Sequence, residues 1–225
     1  MGLFLALTGI AGANADEVEK ALAGYAAKTS GTLTPASPGS RPEDLLVILE
    51  APKQMVTVMY PADFMNWDEA SAYLSQSLQR PAFSFHIHDG DLWMYTFFVN
   101  GEEADRFNPT PEYWGDISDE EMRQWTGHGE TLCRHWPNLK GEQIEKYLIH
   151  WDLDDVGQQD RKAYPDDKFC VGQDWQLCDF MRKLGLTYPI DDNGHRLGKS
   201  YTFTTDVPPP SSVPVAVQKR WWKFW

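Results

Sequence analysis

Apolar and polar positions follow two rhythms along this chain. Between residues 82 and 107 the period is close to two. "AFSFHIH", "LWMYTFFV" and "EEADRF" are short runs, the first two rich in aromatic side chains, and such alternation marks strands. Asp89-Gly90 and Asn100-Gly101 separate them. Both dipeptides favour tight hairpins, because a type I′ turn needs positive φ at both central residues. The pattern predicts a three-stranded antiparallel meander. Earlier, "LLVILE" and "MVTVMY" read as two strands joined by Ala51 to Gln54, and Leu3 to Ile10 reads as a buried first strand.

Elsewhere the period lengthens to that of a helix. Asn14 or Asp16 can cap a helix reaching about Lys28, with Val18, Leu22 and Tyr25 on one face. "NWDEASAYLSQSLQ" predicts a second helix, capped by Asn66, with Trp67, Ala70, Tyr73, Leu74 and Leu78 as its apolar stripe. Further helices are expected over Asp119–Trp125, Glu130–His135 and Gln143–Trp151. In "DWQLCDFMRKLGL", Leu177, Phe180, Met181 and Leu184 share a face between Asp174 and the closing Gly185. "TSGTLTPASPGSRPED" reads as a loop from its Gly, Pro and Ser content. The expected fold class is α+β, an antiparallel sheet including the meander and flanked by helices. Residues 1–206 form the expected domain, 207–218 a proline-rich linker, and 219–225 a basic aromatic tail.

Composition narrows the function classes. The 225 residues carry 33 acidic against 20 basic side chains, a net charge of −13. Such a surface repels phosphate, so nucleic acid is not an expected partner, whereas a basic protein is. Cys133, Cys170 and Cys178 are odd in number and form no CxxC. That argues for a reducing compartment and against a disulfide framework. A cytoplasmic location is expected. The alternative is export, with residues 1–15 as a signal peptide, but the first basic residue is Lys20 where a positive n-region is usual.

Candidate chemistry centres on "FHIHDGDLW", residues 85–93. If Asp89-Gly90 is a two-residue loop, His88 pairs with Asp91 and His86 with Trp93. A second two-residue loop at Asn100-Gly101 places Tyr95 opposite Arg106. One sheet face then carries Ser84, His86, His88, Asp91, Trp93 and Tyr95, and the other Phe83, Phe85, Ile87, Leu92, Met94, Phe98 and Phe107. The first face is polar and aromatic, and His86, His88, Trp93, Tyr95 and Arg106 are its candidate binding residues, since aromatics and Arg carry interface energy. His86, His88 and Asp91 are also the candidate ligands of a metal-dependent hydrolase. A catalytic zinc generally takes three protein ligands with an open position. The spacing differs from the H-x-H-x-D-H of metallo-β-lactamases, so no cofactor is expected.

Other motifs fall short of their templates. "GHRLGKS" has three residues between its glycines where a P-loop needs four. "DLDDVG" has Val156 where an EF-hand needs Asp or Asn, and Ala163 where it needs the bidentate Glu. Cys133 and His135 are two apart and would not face each other on a helix. In "KRWWKFW", Trp221, Trp222 and Trp225 stand among Lys219, Arg220 and Lys223. That is the composition of an interfacial anchor, and it makes residues 219–225 the expected point of any peripheral membrane contact.

"DLWMYTFFVNGEEADRFNPTPEYW", residues 91–114, and "CVGQDWQLCDFMRKLGLTYP", residues 170–189, resemble blocks of uncharacterised bacterial proteins. Some of these are similar to toxin-immunity proteins of the SUKH type. The resemblance implies an α+β, acidic and non-catalytic protein that masks a basic surface, and it assigns no site residues. The expected function is a non-enzymatic interaction protein of immunity or adaptor type.

Overall fold

A computed structural model describes residues 2–152 and 155–206. Eight strands form one sheet in which every pairing is antiparallel. They are β1 (Leu5–Ala11), β2 (Thr32–Pro35), β3 (Leu45–Ala51), β4 (Met55–Met59), β5 (Ala82–His88), β6 (Leu92–Val99), β7 (Glu102–Phe107) and β8 (Lys199–Thr204). Their spatial order is β2-β8-β3-β4-β1-β5-β6-β7. The helices are α1 (Ala15–Lys28), α2 (Trp67–Leu78), α3 (Asp119–Arg123), α4 (Gly129–His135), α5 (Val156–Gln159) and α6 (Gln176–Lys183). The expected α+β class is what the chain adopts. The linker 207–218 and the tail 219–225, with Trp221, Trp222 and Trp225, lie outside the described residues.

Both faces of the sheet are covered. On one, Ala6, Ile10, Leu46, Ile48, Val56 and Val58 pack under α1 and α2, against Val18, Leu22, Ala70 and Leu74. Asn14 caps α1 as expected: its Oδ1 accepts from the Glu17 amide at 2.9 Å, while Glu17 Oε2 accepts from the Asn14 amide at 2.9 Å. On the other face, Leu7, Phe83, Phe85, Trp93, Tyr95 and Phe107 pack under the C-terminal half, against Leu132, Trp136, Tyr147, Leu177, Phe180 and Met181. Gly185, at φ +79°, closes α6, and the Leu186 amide donates back to the Met181 carbonyl at 2.9 Å.

Several expectations need correction. β2 and β8 were not foreseen. β2 lies inside the segment read as a loop, and only its pairing with β8, from Thr32↔Thr204 to Pro35↔Tyr201, makes it a strand. The helix expected over Gln143–Trp151 is instead two single 3-10 turns, Gly141–Gln143 and Glu145–Tyr147. Their side chains are organised by burial of Ile144 and Tyr147 rather than by helical repetition.

The largest correction is register. The turn at Asp89-Gly90 has the expected positive φ values, 54° and 72°. Yet the ladder sets His88 opposite Leu92, His86 opposite Met94 and Ile87 opposite Trp93. Asp91 is thus one extra residue on the β6 side, a bulge, and a one-residue slip exchanges the faces of a strand. The bulge is held from both sides: the Gly90 amide donates to the Leu3 carbonyl at 2.9 Å, and Tyr113 Oη donates to Asp91 Oδ2 at 2.5 Å. Between β6 and β7 the register shifts again. Val99 faces Glu102 and Phe98 faces Glu103, but Phe97 faces Asp105, so Tyr95 lies opposite Phe107 and Arg106 opposite Thr96.

Candidate functional site

The two slips dismantle the expected polar-aromatic face. Trp93 and Tyr95, 0% and 1% exposed, lie in the core beneath α6. Phe180 stacks on Tyr95 with ring centroids 5.7 Å apart and sits 5.1 Å from Trp93. His86, His88 and Arg106 remain on the opposite face, His86 following Ser84 along β5 and Arg106 joining that row through Thr96. Arg106 there bonds Glu103 and lies over the Trp125 ring at 5.0 Å.

The histidines sit in different surroundings. His86 is 6% exposed and stacks flat on Trp67, the first residue of α2, at 4.5 Å. Its ring makes a hydrogen bond to the Leu5 backbone, which accounts for one nitrogen, while Nδ1 is buried without a partner. Burial, with the neighbouring His88 second, pushes its pKa down to about 3, so the imidazole is neutral at ordinary pH. A neutral ring that donates to Leu5 presents Nδ1 as a bare acceptor. His88 lies 5.7 Å away by ring centroids, enclosed by Phe4 at 5.1 Å, Trp114 at 5.1 Å and Tyr113 at 5.7 Å. Burial lowers its pKa as well. Among the described residues no group of three or more His, Cys, Asp or Glu is arranged to hold a metal ion. Asp91, the expected third ligand, is turned to Tyr113.

Beside His86 a cavity of about 180 Å³ opens to the surface. The start of β1 and the residue before it supply Leu5 and Phe4. The segments before β3 and after β4 supply Pro42, Glu43, Tyr60, Ala62 and Phe64. The loop before β8 supplies Tyr188, Ile190 and Arg196, and α2 supplies Trp67. Of the buried side-chain atoms without a hydrogen-bond partner among the described residues, two belong to cavity-lining residues: His86 Nδ1 and Arg196 Nε. The Arg196 guanidinium donates its Nη2 proton to the Pro42 carbonyl. A half-open, mostly apolar hollow lined by aromatic rings and a few polar side chains is the ordinary form of a ligand site.

Sequence reasoning finds His86 but not Phe4, Phe64, Trp67 and Arg196, which line the same cavity. Trp67 was read as part of a helical stripe, and Arg196 as part of a failed P-loop. They meet because β1, placed next to β5, carries Phe4 to the mouth, and because β8 returns beside β3. No local pattern encodes either placement.

A second polar cluster was also missed. Asp105 Oδ2 accepts from Tyr95 Oη at 2.8 Å and from the His128 amide at 2.9 Å, and Asp105 Oδ1 lies 2.8 Å from His128 Nδ1. The bulge in β7 aims Asp105 inward, opposite Phe97. The carboxylate fastens the turn before α4 to the sheet, and burial, with the carboxylate second, holds the Tyr95 phenol well above its ordinary pKa.

No protein-family model matches this chain, and neither a curated protein nor a solved structure matches it. No helix among the described residues is long and apolar enough to cross a membrane.

Proposed function

We propose that this chain is a non-enzymatic binding protein and that the cleft beside His86 is where it holds its ligand. The observation that carries the reading is the hollow itself: a half-open, mostly apolar cavity of about 180 Å³ whose lining includes Phe4, Phe64, Trp67 and the buried His86, which is stacked flat on Trp67.

The test uses toluene as an apolar probe. Saturable binding, followed by NMR of the full-length protein, is expected for the wild type. It should weaken at least tenfold in Ala62→Trp, which fills the cleft from an exposed position. Equal behaviour of the two proteins would refute the reading.

The net charge of −13 supports a second reading, an immunity- or adaptor-type protein that engages a basic partner. Complexes formed by such a surface should weaken steeply as ionic strength rises, and affinities insensitive to salt would count against it.

A further inference from the structure

We propose that residues 219–225 of the same chain dock at the cleft, with one aromatic side chain seated in the hollow. The inference rests on the reading of the cleft as a binding site and names an occupant that the chain itself carries.

Reach comes first. In β8, Thr202 lies opposite Leu45, a residue that lines the cleft. The two strands are antiparallel, so beyond Thr202 the chain runs toward the end of β3 where Pro42 and Glu43 form the rim. The described chain ends just after, at Asp206, whose amide donates to the Thr29 carbonyl at 2.7 Å. Residues 207–218 then span up to about 40 Å. A domain of about 200 residues has a radius of gyration of roughly 17 Å, so the linker is long enough to set residues 219–225 on the rim.

Chemistry comes second. An apolar protein cavity of about 150 Å³ takes up benzene. A half-open hollow of about 180 Å³ therefore seats one aromatic side chain and leaves its backbone at the mouth. Phe4, Tyr60, Phe64 and Trp67 line it, and ring pairs gain from edge and offset contacts beyond their buried area. The segment "KRWWKFW" offers four aromatic side chains among three cations.

Charge favours the same pairing. Residues 207–225 hold three of the 20 basic side chains and none of the 33 acidic ones, so the rest of the chain carries a net −16. The rim shares that sign. Arg41 is bonded to Asp44 at 2.8 and 3.0 Å, lies 3.8 Å from Glu43 and feels the charge of Asp63, so three carboxylates surround one guanidinium. Arg196, the basic residue of the lining, donates to the Pro42 carbonyl and leaves the rim negative. A basic aromatic segment complements an acidic rim around an apolar hollow, and tethering raises its effective concentration there.

The test compares the full-length protein with a full-length variant carrying Trp221→Ser, Trp222→Ser, Phe224→Ser and Trp225→Ser. NMR follows the backbone amides of Ala62 and Phe64 and the affinity for toluene. A docked ring competes with the probe, so the variant should bind toluene at least fivefold more tightly. Its Ala62 and Phe64 amides should differ from those of the wild type, and the difference should survive tenfold dilution. Toluene affinities within twofold of each other, or identical amides, would overturn the docking and leave the cleft as a binding site. If neither protein binds toluene, the ligand-holding reading fails and the amides alone decide: a difference keeps the docked tail, and identity overturns it. A difference that vanishes on dilution would place the tail on a neighbouring copy and overturn docking within one chain. Wild-type binding to phosphatidylglycerol vesicles, with amides identical to those of the variant, would overturn it in favour of a membrane anchor.

Discussion

Strand β5 serves two unlike regions from alternate residues. Phe83, Phe85 and Ile87 point into the layer shared with Trp93, Tyr95 and Phe180, where every ring is enclosed by other rings. Ser84, His86 and His88 point to the layer under α1 and α2. There the helical cover ends at Trp67, and a half-open, mostly apolar cavity begins. The comparison teaches that a binding face cannot be read from residue types alone. Trp93, Tyr95 and His86 look like one polar-aromatic surface in the sequence, and a single bulge at Asp91 sends the two aromatics to the core and leaves His86 beside the cleft.

The first way to break this comparison is at the closed layer. Phe180→Ala should cost about 3–5 kcal/mol, because the ring is fully buried among Phe83, Phe85, Trp93, Tyr95 and Tyr147. A urea midpoint close to that of the wild type would mean that this layer is not the core. Next in size is the β6–β7 turn under α2. Gly101 has φ +86°, and an added Cβ would come within 2.8 Å of Gln76 Cβ. Gly101→Val should therefore cost roughly 2–4 kcal/mol through strain and overpacking. Thr110→Val is the control. Its Oγ1 is buried without a partner, so exchanging it for a methyl should be neutral or mildly stabilising.

The third effect separates the layers by pH. Unfolded chains protonate histidine near pH 6.5, whereas folded His86 stays neutral down to about 3. The unfolded state therefore binds more protons in that window, and acid favours it. Stability should fall as pH drops from about 6.5 toward 3, by at most about 1.4 kcal/mol per pH unit from this residue. His86→Phe keeps a ring on Trp67 and should flatten the slope, as urea melts at pH 7, 6 and 5 would show.

Much of the fold was legible because local chemistry specified it. The capping box at Asn14 and the positive-φ turns at Asp89-Gly90 and Asn100-Gly101 are all as the sequence implies. What was not legible depends on distant partners. β2 exists through β8, the bulge at Asp91 is held by Tyr113 and Leu3, and Asp105 turns inward to reach His128. The candidate site shares that property. His86 was visible, but its meaning follows from Phe4, Trp67 and Arg196, which arrive from three separate parts of the chain.

The most direct test of the account is the imidazole of His86, observed by NMR of ring-labelled protein in the absence and presence of toluene. The account predicts a neutral ring protonated on Nε2 down to pH 5, with ring signals that move saturably as toluene is added. A His86 that titrates near pH 6.5 and ignores the probe would contradict it.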